Sequence, residues 1–302
     1  METSFWWVFD GLCAIIAAYV VFSNGKRGFT KVLIASIGYI IAVLLASVLA
    51  YASSAALYDS VARPSDISAI ETINVKVDFP TVLHEAIKAE QFGAKIDKAD
   101  VVAILRRNPK EFDKELRLLA ENRNEKFYGY ASQFEERMRQ TVIKVYGDQL
   151  AERMPRYVQM NFARQVEGKP ETIGLVIEAV YNSKLSSKEA AAVIEDMFAK
   201  EPTQEVLQIF VYLIVFCILM VFAALISAAL EYKLIFSFNK ASDHALGALL
   251  GVVEALALLF FFTIAVRLVV QLGGGTLLCF NDPTIARSKV FSFFYDHISI
   301  LL

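Results

Sequence analysis

Four long, mainly apolar runs divide this chain, and each is long enough to dictate its solvent. They cover 5–23, 29–52, 206–230 and 244–270. Roughly 20 consecutive apolar residues carry a helix across the hydrocarbon core of a bilayer. A soluble domain of this length spreads its apolar residues over amphipathic elements instead. Charge is segregated as sharply: of 30 Lys and Arg and 32 Asp and Glu in the chain, 22 and 25 fall within 53–205. In lipid, backbone polar groups find partners only inside a helix or a closed barrel. The expected fold is therefore all-α, a four-helix transmembrane bundle of two hairpins with a large helical extracytoplasmic insertion. Residues 1–52 form the first hairpin, 53–205 the insertion, 206–270 the second hairpin and 271–302 an interfacial amphipathic tail.

The stretch SNGKRGFTK, residues 23–31, sets the orientation. Short loops rich in Lys and Arg stay on the cytoplasmic side. Lys26, Arg27 and Lys31 therefore put the first hairpin loop inside, with both termini and 53–205 outside. Asn24-Gly25 is the expected turn, because both residues tolerate positive φ. The second loop, 231–243, carries Lys233 and Lys240 against Glu231 and Asp243 and adds little. Acidic Glu2 comes first and the positive charges follow the first apolar run. That is the reverse of a removable secretory signal, so the first run is expected to stay as a helix. Trp6 and Trp7 suit the outer interface.

The insertion reads as packed amphipathic helices. Phe127, Tyr130, Phe134, Met138 and Val142 recur at helical spacing, a stripe that more often builds a core than a binding face. Ser186 with Glu189 makes a capping box, and Asp97 or Asp100 caps the run 101–107. Asn108-Pro109, Pro155 and Gly168 mark breaks. Residues 73–79 alternate apolar and polar, which suggests one short strand ending at Pro80. In the tail, three glycines at 273–275 make a hinge and Asp282-Pro283 starts a helix. The rest of the tail suits an interfacial helix or a lid over the outer end of the bundle.

Small residues at four-residue spacing let membrane helices approach closely. Gly38, Ala42 and Ala46 form one such ridge, continued by Ala50, and Gly247, Gly251 and Ala255 form another. Exposed ridges of this kind make a homo-oligomer an expectation. Glu254 lies ten residues past His244, about 15 Å along its helix at 1.5 Å per residue. That position is near the bilayer centre and on the packing face. Asp10, on a face with Ala14 and Ala17, lies about 20 Å from the inner end of its span. The two acids come close enough in depth to share a proton if they face each other. The plainer reading gives Glu254 a structural contact to Ser36, Ser47, Tyr19 or a carbonyl. Arg267 is expected to snorkel to headgroups.

Several chemistries find no pattern here. The three histidines are scattered, and His84-Glu85 lacks the second histidine of a zinc protease helix. No phosphate loop, dinucleotide fingerprint or nucleophile elbow is present. Three cysteines, none in 53–205, build no disulfide framework. Net charge is -2, which gives no reason to expect nucleic acid as a partner. No catalytic, cofactor or metal residues are expected.

Asp10, then Gly25-Lys26-Arg27-Gly28-Phe29, then Ser36-Ile37-Gly38-Tyr39 resembles the N-terminal half of the colicin V production protein (CvpA) family. Leu246-Gly247-Ala248-Leu249-Leu250-Gly251 resembles that family's second signature, and Ser288 matches a serine after the last span. The resemblance covers about the first 55 and last 60 residues. It implies a bacterial inner-membrane protein of four spans, linked to production or export of the toxin colicin V and to envelope maintenance. Some relatives carry a protease domain outside the membrane, which agrees with the orientation above. Asp10, Arg27, Gly28, Phe29, Gly247 and Gly251 are the signature residues it carries over. The insertion is longer than in compact members, the third run matches no motif, and Glu254 stands where a small or basic residue is usual.

The expected function is non-enzymatic, in secretion or envelope maintenance. The lipid bilayer is one partner, and 53–205 would engage an envelope or secretion protein. Two alternatives stand beside it: a transporter or channel subunit using Glu254 and Asp10, and an extracytoplasmic ligand sensor. A membrane enzyme ranks last.

Overall fold

The computed structural model describes residues 5–89, 95–123, 131–230, 239–275, 277 and 279–298. Phe127, Tyr130, Glu2, Glu231 and Lys233 lie outside them. The described residues are all-α, with no strand among them. They divide into two compact units, one holding residues up to Tyr58 and from Gln204 onward, the other Asp59–Thr203.

The first unit contains four helices long and apolar enough to cross a membrane. They are α1 (Trp6–Arg27), α2 (Phe29–Leu57), α11 (Lys200–Leu230) and α12 (Lys240–Gly273), the last two numbered in chain order with the helices below. The 34 residues of α12 rise about 51 Å, well beyond a hydrocarbon core of roughly 30 Å. Its most apolar stretch is 44% buried against 17% for α1 and α11, so α12 is the centre of the unit. It packs on both α1 and α2.

Two expectations about the first hairpin are corrected. The first helix does not end near Ser23: Asn24, Gly25, Lys26 and Arg27 are its last turn. The turn is a single residue, Gly28, at φ 86°. A side chain at Gly28 would collide with the Asp243 carboxylate, whose Oδ1 accepts the Phe29 N–H at 2.9 Å. Glycine is thus required twice over, by its backbone angle and by its neighbour. Asn24 is kept helical because its side chain is used elsewhere.

The Asp59–Thr203 unit holds α3 (Arg63–Lys76), α4 (Phe79–Ala89), α5 (Lys98–Arg107), α6 (Phe112–Arg123), α7 (Ala131–Arg153), α8 (Arg156–Gly168), α9 (Thr172–Tyr181) and α10 (Ser187–Phe198). Phe134, Met138, Val142, Tyr146 and Leu150 of α7 are all buried and join a core with Ile70, Phe79, Leu83 and Leu116. The stripe is core, as its spacing suggested. The expected strand at 73–79 does not form: α3 runs through Lys76, Val77 and Asp78 are a short link, and α4 begins at Phe79. Ile67, Ile70 and Ile73 repeat every three residues and are buried on α3, which outweighs the local alternation. Pro80 sits in the first turn of α4, where its missing N–H costs nothing. The Ser186–Glu189 capping box forms, Asp100 accepts the Asp97 N–H at 2.9 Å, and α5 stops at Asn108-Pro109.

After α12 the chain turns through Gly274 and Gly275 in the left-handed region. Gly275 N–H reaches the Val270 carbonyl and Gly274 N–H the Gln271 carbonyl, the paired bonds of a Schellman cap. The tail then forms α13 (Asp282–Ile285) and α14 (Phe291–Asp296). Phe291 stacks on Phe9 with centroids 4.8 Å apart and Phe294 meets Phe260 edge-on. The tail is thereby packed onto α1 and α12.

Candidate functional site

Glu254 and Asp10 belong to separate sites on the four long helices, and the two acids do not meet. Asn24 Nδ2 donates to Glu254 Oε2 at 2.7 Å. Glu254 is 4% exposed and Asn24 2%. Of the expected partners, Ser36 lies beside Glu254 with its Oγ also donating to the Leu250 carbonyl at 3.3 Å, Ser47 bonds its own helix at Val43, and Tyr19 is exposed. Asn24 lies one turn from the Lys26-Arg27 end of α1, so Glu254, near the middle of the 34-residue α12, is level with that end of α1.

The glycine ridge of α12 makes this pair possible. A side chain at Gly247 would stand 2.7 Å from the Asn24 carbonyl, and one at Gly251 would stand 3.0 Å from Asn24 Cβ and 3.1 Å from Val21 Cα. Both glycines therefore face α1. Ala255, one turn on, is buried beside Glu254. The ridge of α2 points elsewhere: Gly38 abuts Ala223 of α11, and Ala42, Ala46 and Ala50 are buried with Tyr212 and Phe216. The two ridges thus serve different partners.

Asp10 holds the tail. Its Oδ2 accepts the Lys289 N–H at 2.8 Å, and its Oδ1 accepts the Val290 and Phe291 N–H groups at 2.9 and 3.0 Å. A carboxylate on the open amides at the start of α14 is favourable, because those groups lack helical acceptors. Ser288 is buried and donates to the Ile285 carbonyl at 2.6 Å. Asp10 and Asn24 are 14 residues apart on one helix, about 21 Å, which removes the shared proton between Asp10 and Glu254. Arg267 does not snorkel alone: its guanidinium donates to Glu205, at 3.0 Å from Nε, and lies 5.8 Å from the Tyr295 ring centroid.

At the Lys/Arg end, Lys26 Nζ stands 4.2 Å over the Phe22 ring and His244 Nδ1 meets the Gly25 carbonyl at 2.6 Å. Beside them lies a cavity of about 400 Å³ lined by Arg27, Lys31, Tyr39, Ser227 and Glu254 among others. Sequence reasoning missed Asn24 and this cavity. The only available signal was an amide directly after a run of apolar residues, and it reads equally well as turn chemistry.

The Asp59–Thr203 unit has its own buried acids. Glu195 is fully buried, with Arg63 Nε 3.6 Å away; burial and then the neighbouring Asp196 push its carboxyl up to about 7. Asp66 accepts from Thr203 Oγ1 at 3.2 Å, and burial pushes it up to about 6. Among the described residues no group of three His, Cys, Asp or Glu is placed to hold a metal.

No family model, curated protein or solved structure matches this chain.

Proposed function

We propose that this chain is a non-enzymatic, four-span protein of a bacterial inner membrane, related to the colicin V production family and acting in toxin export or envelope maintenance. The orientation follows from Lys26, Arg27 and Lys31: hairpin loops inside, both termini and the helical unit outside. The observation that carries the reading is where the residues of the resemblance fall. Asp10 binds the tail, Phe29 binds Asp243 beside Gly28, Ser36 binds Leu250, and Gly247 and Gly251 seat α1. Short motifs scattered over 280 residues thus meet at the contacts that close one helical unit. That is what a shared scaffold requires and chance apolar matches do not.

The Asp59–Thr203 unit, with its charged surface, would engage an envelope or secretion partner. The test is deletion of the gene in its host, scored for envelope integrity and for export of a colicin V-type peptide. Loss of either, restored by the wild-type chain and not by Gly28→Val, supports the reading. A deletion strain unchanged in both assays contradicts it. The transporter reading has one observation of its own, the polar cavity at Glu254.

A further inference from the structure

The cavity at the Lys/Arg end has an unusual charge pattern for a place between membrane helices. Basic Arg27 and Lys31 line it together with the buried acid Glu254. Glu254 spends Oε2 on Asn24, while Oε1 is buried with no hydrogen-bond partner among the described residues. An unsatisfied carboxylate oxygen in such surroundings is costly. A simple anion would be repelled by Glu254, and a simple cation by Arg27 and Lys31. A zwitterion satisfies both charges.

The walls indicate its source. The cavity lies along the seam of α2 and α11, where Gly38 meets Ala223, and an apolar groove of about 390 Å³ runs along the other side of that contact. Both helices carry exposed apolar side chains, Ile40 and Leu44 on α2 and Val221 and Leu225 on α11. Such faces suit acyl chains, and basic pockets between spans on the cytoplasmic side suit lipid headgroups.

We propose that this cavity binds the headgroup of a lipid carrying a primary ammonium beside a phosphodiester. The ammonium donates to Glu254 Oε1 and the phosphate accepts from the Arg27 guanidinium, whose planar fork matches phosphate oxygens. The proposal rests on the membrane reading of the four long helices, which thiol labelling tests separately.

Native mass spectrometry of the purified full chain in detergent tests it, with phosphatidylethanolamine, phosphatidylcholine and phosphatidylglycerol added at equal concentration. Phosphatidylethanolamine should be retained at least fivefold over the others. Trimethylation removes the ammonium donors, and phosphatidylglycerol lacks the ammonium. Glu254→Gln and Arg27→Gln should each bring that ratio close to one. Ala224→Phe, which fills the cavity and touches neither charge, should do the same, and it serves where a charge variant fails to fold. Equal retention of all three lipids by the wild type, or a preference surviving all three substitutions, would overturn the proposal. So would displacement of the lipid by O-phosphoethanolamine at equal concentration, since the ligand would then come from solution.

Discussion

The two units of this chain solve the burial problem in opposite ways. In the Asp59–Thr203 unit the large apolar side chains are inside, and among the described residues only Val61, Val75, Leu118 and Val193 are exposed there. Its surface is tied by ion pairs such as Lys76–Glu152 and Arg123–Asp100. In the unit of long helices many large apolar residues face outward, Tyr51, Leu44, Val221 and Leu225 among them. What it hides are glycines and alanines at helix contacts, a few polar groups, and aromatic clusters such as Phe9 with Phe291 and Tyr212 with Phe216. The contrast teaches that the same apolar residue stabilises by being buried in one unit and by being left exposed in the other. Water drives the first arrangement; close packing and satisfied polar groups drive the second.

The largest effects should come from breaking close approaches, one in each unit. Gly247→Val would drive a branched side chain into the Asn24 carbonyl, and Gly174→Val would drive one into the Lys110 carbonyl. Each is expected to cost about 4 kcal/mol or more. Folded yield on size exclusion in detergent, with circular dichroism melts, measures both.

A matched pair of phenylalanines sharpens the comparison. Phe134 is fully buried and Phe222 is 57% exposed. Phe134→Ala should cost about 3–5 kcal/mol, while Phe222→Ala should stay within about 0.5 kcal/mol. Equal losses in thermal melts would mean that the outward face of α11 is covered by protein rather than lipid or detergent.

Next comes pH. Glu195 titrates at about 7 when folded and near the ordinary glutamate value when unfolded. The folded state therefore holds the proton longer, and its contribution is fully present below about pH 4 and lost as pH rises through 7. Glu195→Gln should raise stability at pH 8 by an amount on the order of 2 kcal/mol and change little at pH 4. Melts of both proteins across that range decide it. The smallest effect is at a helix end: Ser186→Ala removes the acceptor of the Glu189 N–H and should cost about 1 kcal/mol, read from the same melts.

Much of the architecture is legible in the sequence because the signals are local. The four runs, the α7 stripe, the Ser186 box and the Asn108-Pro109 break each carry their meaning within a few residues. The misreadings share a cause in long-range pairing. Asn24 looks like a turn residue until Glu254, 230 positions away, claims its amide. Asp10 binds three backbone N–H groups, and backbone carries no side-chain signal. Gly28 is marked as the turn only by its distant neighbour Asp243. At 73–79 alone the cause is local: the three-residue spacing of the isoleucines outweighs a two-residue alternation.

The central proposal is that the four long helices cross a membrane with the Lys26-Arg27 end of α1 and residues 59–203 exposed to opposite sides of it. The most direct measurement places single cysteines at Lys26 and Ser187 in a background without Cys13, Cys217 and Cys279, and labels intact cells with a membrane-impermeant thiol reagent. The account predicts that Ser187→Cys reacts in intact cells and Lys26→Cys only after permeabilisation. Reaction of Lys26→Cys in intact cells, or of both positions alike, would contradict it.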